Sequence, residues 1–408
     1  MAQPRAVVIG GGIGGLTAAC ALHHAGWHVT ILERAAALEP VGAGIALAPN
    51  AQRALDTFGA GDAVRALSGW QADGGLRLPD GRWLSRTSNE AAARRFGGPV
   101  VVAHRADVIG LLAARLPEGA VRTGSPAALT DPGAPDRPAR VTTPDGELEA
   151  ELVVGADGIH SAVRAVLFPG HPAPRYTGAT VWRLVVPRPT TPFPAHETWG
   201  PGRLWGTVPL RDGRVYAYAQ AVAPAGAVSP GGELDRLRRL FGNWHHPVPD
   251  ILDAADPAAI LRNDVHTTAR PLPAFHRGRV ALLGDAAHAM PPNLGQGGCQ
   301  AIEDAVVLAH ALATAAPGDA LAEYTRQRLP RTTAVVRRSA RVARLTRLSS
   351  PLACALRTAA LTTVNRLGPR VALRGLDGVA DWRPPGEDRH RDARAAFPTS
   401  QTSNSTTP

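Results

Sequence analysis

The sequence predicts an α/β fold: a parallel sheet with covering helices, interrupted by a mainly antiparallel sheet and followed by C-terminal helices. Three observations predict it. Apolar runs at Ala6–Ile9 and Val29–Leu32 bracket a helical pattern from about Gly14 to Ala25, which makes a β-α-β unit. Two more apolar strands follow far downstream, Glu151–Ala156 and Val280–Leu283, and each runs into a glycine–aspartate pair. Between them, Thr177 to Gln220 lacks long helical runs and carries strand patterns at Val181–Val186 and Arg214–Gln220.

The remaining elements fall into place around these. His104 to Leu116 has helical periodicity and stops at Pro117; a helix from about Gly298 to Ala315 follows the last strand, with two further helical stretches after it. The arginine-rich stretch Arg326–Arg347 reads as a solvated helical face. Beyond Arg383 the chain is polar and proline-containing, and a disordered tail is expected. The domain division is therefore discontinuous. Residues 1–70, 100–175 and 275–345 form the nucleotide domain, 71–99 and 176–274 the inserted sheet, 346–385 a helical region and 386–408 the tail.

Composition removes several classes of function. Hydrophobic residues make up 44% of the 408, enough for a large core in more than one part. The formal charge of +10 invites a nucleic-acid reading, but every basic side chain is arginine and no basic patch is interleaved with stacking aromatics. Cys20, Cys299 and Cys354 lie too far apart for a disulfide framework or a metal site, so no metal is expected. The N-terminus enters a strand almost at once, without a signal-peptide layout, and no apolar run is long enough to span a bilayer. A cytoplasmic protein, monomer or homodimer, acting on a small molecule is expected.

The first chemical motif is Gly10-Gly11-Gly12-Ile13-Gly14-Gly15, with Gly10, Gly12 and Gly15 at GxGxxG spacing. It follows a strand, opens a helix and is answered by Glu33 at the end of the next strand. The glycines allow a tight turn and close approach of backbone to a pyrophosphate, and the helix N-terminus favours the phosphates. Glu33 is placed to accept from ribose hydroxyls. NAD and FAD fit this motif equally.

A second motif separates them. Val280–Leu283 meets Gly284-Asp285, a carboxylate at a strand mouth that an NAD fold does not need and that a ribityl chain does. Pro291-Pro292-Asn293-Leu294-Gly295-Gln296-Gly297-Gly298 then leads into a helix. Its bare N–H groups and the helix N-terminus suit the negative charge on a reduced flavin ring.

Together with Val153–Arg164 (VVGADGIHSAVR), these motifs make the chain resemble the class A FAD-dependent monooxygenases of the para-hydroxybenzoate hydroxylase fold, over about residues 5–385. Met290–Asp304 is most similar to the branch of zeaxanthin-epoxidase-like, urate-hydroxylase-like and salicylate-hydroxylase-like enzymes. The resemblance implies a Rossmann-like FAD-binding domain of the GR2 type with an inserted substrate sheet. It also implies roles. Glu33 and Arg34 lie at the adenosine ribose, Ala127 near the adenine, and Gly42 to Ile45, including Gly44, in a loop near the flavin. Arg105 serves the ribityl–phosphate region, Asp157 a motif tied to both FAD and NAD(P)H, Gly284 and Asp285 the ribityl chain, and Pro291 to Gly298 the reactive edge of the ring.

The expected cycle is reduction of FAD by NAD(P)H, addition of O2 at flavin C4a and transfer of one oxygen from the hydroperoxide, which hydroxylates or epoxidises an aromatic or conjugated substrate. No catalytic side chain is assigned, because the cofactor carries the chemistry and no base stands out. His288 reads as a packed, hydrogen-bonded histidine, and Glu303 and Asp304 as supports of their helix. Candidate cavity walls are Trp182, Arg183, Trp199, Arg203, Trp205, Tyr216, Tyr218 and Pro291. Tyr216 matches a substrate-side tyrosine of the urate-hydroxylase-like branch, whereas Leu204 stands where that branch carries an arginine, which speaks against urate. A halogenase would use a lysine and a WxWxIP-type segment, both missing here. An FAD-dependent reductase without oxygen insertion is the alternative, and a non-catalytic flavin-binding protein a third reading.

Overall fold

A strand covered on both faces needs apolar side chains on both, so it reads as an unbroken hydrophobic run. Arg5–Ile9, Leu152–Gly155 and Val280–Leu282 are such strands. The computed structural model describes residues 3–38, 43–69, 73–368 and 374–386; Gly42 and nearly all of the expected tail lie outside them. These three strands form the centre of a six-stranded sheet, in the order His276–Arg277, Val280–Leu282, Leu152–Gly155, Arg5–Ile9, His28–Leu32, Val121–Arg122. All neighbours are parallel except the edge pair His276–Arg277 and Val280–Leu282. Ile9 lies beside Gly155, and Gly155 beside Leu282. Three segments distant in sequence therefore end at one edge of the sheet, and the turns that follow them meet there.

Helix Ile13–His24 packs on helix Gly297–Thr314, and both cover the sheet through Leu16, Leu22, Ile302 and Val306. Their approach is close. A β-carbon on Gly14 would fall 2.7 Å from Leu283 Cδ1 and 3.1 Å from the Ala301 β-carbon. The first glycine turn and the downstream motif are thus pressed together by the fold itself.

The second sheet has seven strands, ordered Leu261–Thr267, Arg175–Pro187, Arg214–Val222, Arg203–Pro209, His196–Gly200, Gly74–Arg77, Trp83–Thr87. All pairs are antiparallel except His196–Gly200 with Gly74–Arg77. One face carries Trp182, Leu184, Trp205, Ala217 and Ala219 into a core with Leu237, Phe241 and Ile251, from helices Gly232–Phe241 and Val248–Asp253. The other face carries Val185, Tyr216 and Tyr218 toward Ala43 and Val102 of the nucleotide-binding part. Strand Gly44–Leu47, paired with Val101–His104, lies between the two bodies.

Helices Pro317–Thr346 and Pro351–Arg366 follow. The arginine-rich face of the first is not wholly solvated, which corrects the expectation from sequence. Arg328 is fully buried, donating from Nε to Asp304 Oδ1 at 2.6 Å and from Nη1 to Glu303 Oε2 at 2.5 Å. Arg331 Nε reaches the same Glu303 oxygen at 2.6 Å. A guanidinium is buried here because two carboxylates from the neighbouring helix neutralise it.

Candidate active site

The glycine turn is built by close contacts that no side chain would allow. Gly10 has φ +110°, and a β-carbon there would meet Ala156 O at 2.4 Å; one on Gly15 would meet Gly10 O at 1.9 Å. Ile13 opens the helix and is buried. Glu33 closes the turn from the next strand, accepting from Gly11 N at 2.6 Å through Oε2 and from Ala35 N at 2.9 Å through Oε1. Its carboxylate keeps lone pairs for ribose hydroxyls. Arg34 is exposed beside it. The segment leading to half-buried Ala127 is tied to the same strand end by Ser125 N to Glu33 O, 2.9 Å.

Arg105 begins helix Arg105–Ala113 and reaches the turn, its Nη2 lying 3.9 Å from where a Gly12 β-carbon would be. Its Nε is buried without a hydrogen-bond partner among the described residues. Asp285 is exposed, and its carboxyl opens onto the same cleft. Desolvation by the cleft around it raises its proton affinity, while His288 and Arg105 oppose the rise. Asp157, by contrast, is already engaged: it accepts from Ser161 Oγ at 2.5 Å and Val163 N at 3.1 Å, and so organises the start of helix Ala162–Leu167. Arg164 of that helix donates to Ala286 O at 2.9 Å, which joins the Asp157 turn to the Asp285 turn.

The loop after Asp285 is held from several sides. His288 Nε2 donates to Asp304 Oδ2 at 2.6 Å, the packed arrangement read from sequence, and Gly284 N donates to the same oxygen at 2.9 Å. Pro291 is buried, and its carbonyl accepts from Ser339 Oγ at 2.5 Å. Asn293 Nδ2 donates to Gln220 Oε1 at 3.2 Å, binding the loop to the seven-stranded sheet. Gly295 has φ +61°, a β-carbon on Gly298 would lie 3.0 Å from Ile45 Cδ1, and Gly297 faces open space. Cys299 accepts from Ala48 N at 3.4 Å, and burial pushes its thiol up to about 12, so it is an inert packing group.

The sheet opposite contributes only some of the expected wall. Register places Tyr218 beside Arg183, and Tyr216 beside Val185, on the face toward the cleft. Burial raises the Tyr216 phenol, with Arg183 and Arg105 opposing. Trp199 is on this face too. Trp182, Arg203 and Trp205 are not. Trp182 and Trp205 pack in the helix-covered core, and the Arg203 guanidinium lies over Phe241 and Trp244 at 5.9 and 5.6 Å. These three expectations are corrected: alternation assigns Arg203 and Trp205 to one face, and that face is the one sealed by helices.

Glu197 is the residue that sequence reading passes over. It sits on the cleft face, accepting from Tyr218 Oη at 2.7 Å and from the Trp199 indole N–H. Burial raises its proton affinity, and no cation pairs with it among the described residues. Its alternation with Trp199 was the only available signal, because its partner Tyr218 is two strands away.

This cleft fits a flavin dinucleotide on its own geometry: glycine turns too tight for side chains, an arginine beside the turn whose buried Nε has no hydrogen-bond partner among the described residues, and a carboxyl near the ring loop with none among them either. The fold and cleft define a flavoprotein in which a seven-stranded sheet faces the nucleotide-binding part. The comparisons specify it further. Residues 4–339 match the FAD binding domain family, and the chain belongs to that family of flavin monooxygenases. It is 40% identical over 356 residues to an aurachin C monooxygenase/isomerase of Stigmatella aurantiaca, covering 86% of this chain and 92% of the other. It is 37% identical over 359 residues to a 3-amino-4-hydroxybenzoate 2-monooxygenase of Streptomyces cremeus, covering 83% and 86%. Its fold matches that of Klebsiella pneumoniae HpxO complexed with FAD and uric acid, with TM-score 0.84, 27% identity, and 94% and 97% of the two chains covered. The chain is an FAD-dependent monooxygenase, with NAD(P)H as reductant and O2 as co-substrate. No helix among the described residues is long and apolar enough to cross a membrane.

Proposed function

We propose that this monooxygenase hydroxylates a small, planar aromatic or heteroaromatic compound held between the flavin ring and the Arg183–Tyr218 row of the inserted sheet. The observation that carries this reading is the pairing of two faces. On one, the Gly295–Gly298 loop and Asp285 line the cleft; on the other, Tyr216, Tyr218 and Arg183 stand side by side, and Asn293 to Gln220 ties the two together at 3.2 Å. Aromatic side chains suit a flat guest, and an arginine suits a carboxylate or ring oxygen on it. Relatives that act on 3-amino-4-hydroxybenzoate and 6-hydroxynicotinate support the class. Leu204, buried on the cleft face in the row of Gln220, removes a cation that a urate site of this branch would use.

Within this reading the glycine turn and Arg105 hold the pyrophosphate, Glu33 and the Ala127 segment the adenosine end, Asp285 the ribityl hydroxyls, and the Pro291–Gly298 loop the ring. Bound FAD supplies the redox chemistry, taking hydride from NAD(P)H and activating O2. The protein's part is to place the substrate, keep water out and move its protons. We place it in the cytoplasm, as a monomer or homodimer.

The test is reconstitution with FAD, followed by a screen for hydroxyaromatic compounds that accelerate NAD(P)H oxidation, with 18O2 supplied and product mass measured. Gain of one labelled oxygen supports the reading. NAD(P)H oxidation with no labelled product from any compound would assign the reductase alternative.

A further inference from the structure

Tyr218 does not stand up from its strand. The hydroxyl-bearing end of its ring lies directly over Gly206 of the next strand, where a β-carbon would be 2.0 Å from Cζ. Leaning across that glycine, the phenol donates to Glu197 Oε2 on the strand beyond, at 2.7 Å. A phenol that donates its proton still has oxygen lone pairs to accept one. Glu197 has its other oxygen on the Trp199 N–H, and no guanidinium pairs with it among the described residues.

We propose that Tyr218 is a catalytic residue that accepts the proton of a hydroxyl on the aromatic substrate, and that Glu197, acting through it, is the positioning residue that receives Tyr218's own proton. This rests on the monooxygenase reading above and names the feature its substrate must carry. The step balances without any redox change. The substrate O–H bond breaks as its proton passes to Tyr218 Oη, and the former Tyr218 proton passes to Glu197 Oε2. Tyr218 ends neutral, the carboxylate becomes a carboxylic acid, and the negative charge moves to the substrate as an aryloxide. An aryloxide feeds electron density to its ortho and para carbons, where an electrophilic oxygen is inserted.

The charges around the pair favour that direction. The ionisable groups facing Tyr218 are Glu197, Tyr216 and, across the strand pair, Arg183; those facing Tyr216 are Arg183 and Arg105, and the Arg357 guanidinium lies over the Trp199 ring at 5.6 Å. Negative charge on Glu197 is desolvated and unpaired, whereas on a substrate beside Arg183 it has a cation at hand. Burial also raises Glu197's proton affinity, as a proton acceptor requires. Tyr218 is pushed well up by burial and by Glu197, so it relays a proton and does not ionise.

The FAD-loaded enzyme can be titrated with 4-nitrophenol, whose visible absorbance reports its own ionisation, and the midpoint followed with pH. The expected result is a bound midpoint about one pH unit or more below that in free solution. Tyr218→Phe keeps the ring over Gly206 and removes only the relay oxygen, and Glu197→Gln keeps the shape and removes the acceptor. Each should return the midpoint most of the way to its free value and, with 3-amino-4-hydroxybenzoate as a second probe, move the pH profile of kcat more than KM. If Glu197→Gln fails to fold, Tyr218→Phe decides alone. A midpoint that the variants leave where the wild type has it, a wild type that leaves it at the free value, or failure of both phenols to bind would overturn the proposal. Those outcomes in a yellow protein that still inserts labelled oxygen sink the relay and spare the monooxygenase; a protein that takes up no FAD sinks both.

Discussion

Tyr216 lies against Gly44 so closely that a β-carbon on the glycine would be 2.3 Å from Cδ1 of the ring. The contact joins the seven-stranded sheet to the short strand pair that Gly44–Leu47 makes with Val101–His104. Gly44→Ala must push the ring or the strand aside. The expected outcome is a fall of about tenfold or more in kcat/KM, with a melting temperature close to wild type, measured on the same FAD-loaded preparation.

Arg105 begins its helix at the nucleotide cleft. Its Nε is buried without a partner among the described residues, and Asp285 faces it as a source of compensating charge. Arg105→Ala should weaken FAD binding by about 30- to 1,000-fold, the range for truncating one partner of a desolvated charged contact. Flavin fluorescence titration reads this directly. Affinity within about twofold of wild type would remove Arg105 from the cofactor site.

The Arg328–Asp304–His288 cluster makes a prediction about acid. Desolvation works against the charged Asp304, but His288 and Arg328 outweigh it and hold the carboxyl at about 2, below its ordinary 3.8. A carboxyl depressed in the fold contributes stability above its unfolded value and loses it as pH falls from 3.8 through about 2. Asp304→Asn should destabilise the protein by about 3–5 kcal/mol at neutral pH, since Arg328 is left buried with one carboxylate fewer. Denaturant unfolding of mutant and wild type should converge toward low pH.

His196 has the opposite sign and a different window. It is buried under the helix-covered face, Nδ1 donating to Pro194 O at 2.7 Å, and burial lowers it from 6.5 to about 4. The unfolded chain therefore takes up the proton first, and stability rises with pH between about 4 and 6.5. His196→Asn should flatten that slope, which amounts to roughly 3 kcal/mol across the window. An unchanged slope in the variant would assign the acid sensitivity elsewhere.

The nucleotide half was legible because its signals are local. Gly10 to Gly15, Asp157 and Gly284–Asp285 each sit at the end of an apolar run, and parallel pairing then brings those ends together. The substrate half was legible only in part. Alternation states that Tyr216 and Tyr218 share a face, and that Arg203 and Trp205 share one, but not which face meets the flavin. Both faces of this sheet are buried, one by helices and one against the nucleotide-binding part, so hydrophobicity does not distinguish them. Glu197 escaped because its partner comes from a strand two places over. Arg328 escaped because its charge suggests solvent, and the two carboxylates that bury it lie on another helix.

Gly206 deserves its place for what it leaves empty. It is the passage through which a phenol from one strand reaches an acid on another, and even one methyl group would block it. Two copies of this gene could therefore keep both Tyr218 and Glu197 intact and still differ in whether they speak to each other, so comparing descendants of this chain at that bare position would tell more about their chemistry than comparing the reactive residues themselves.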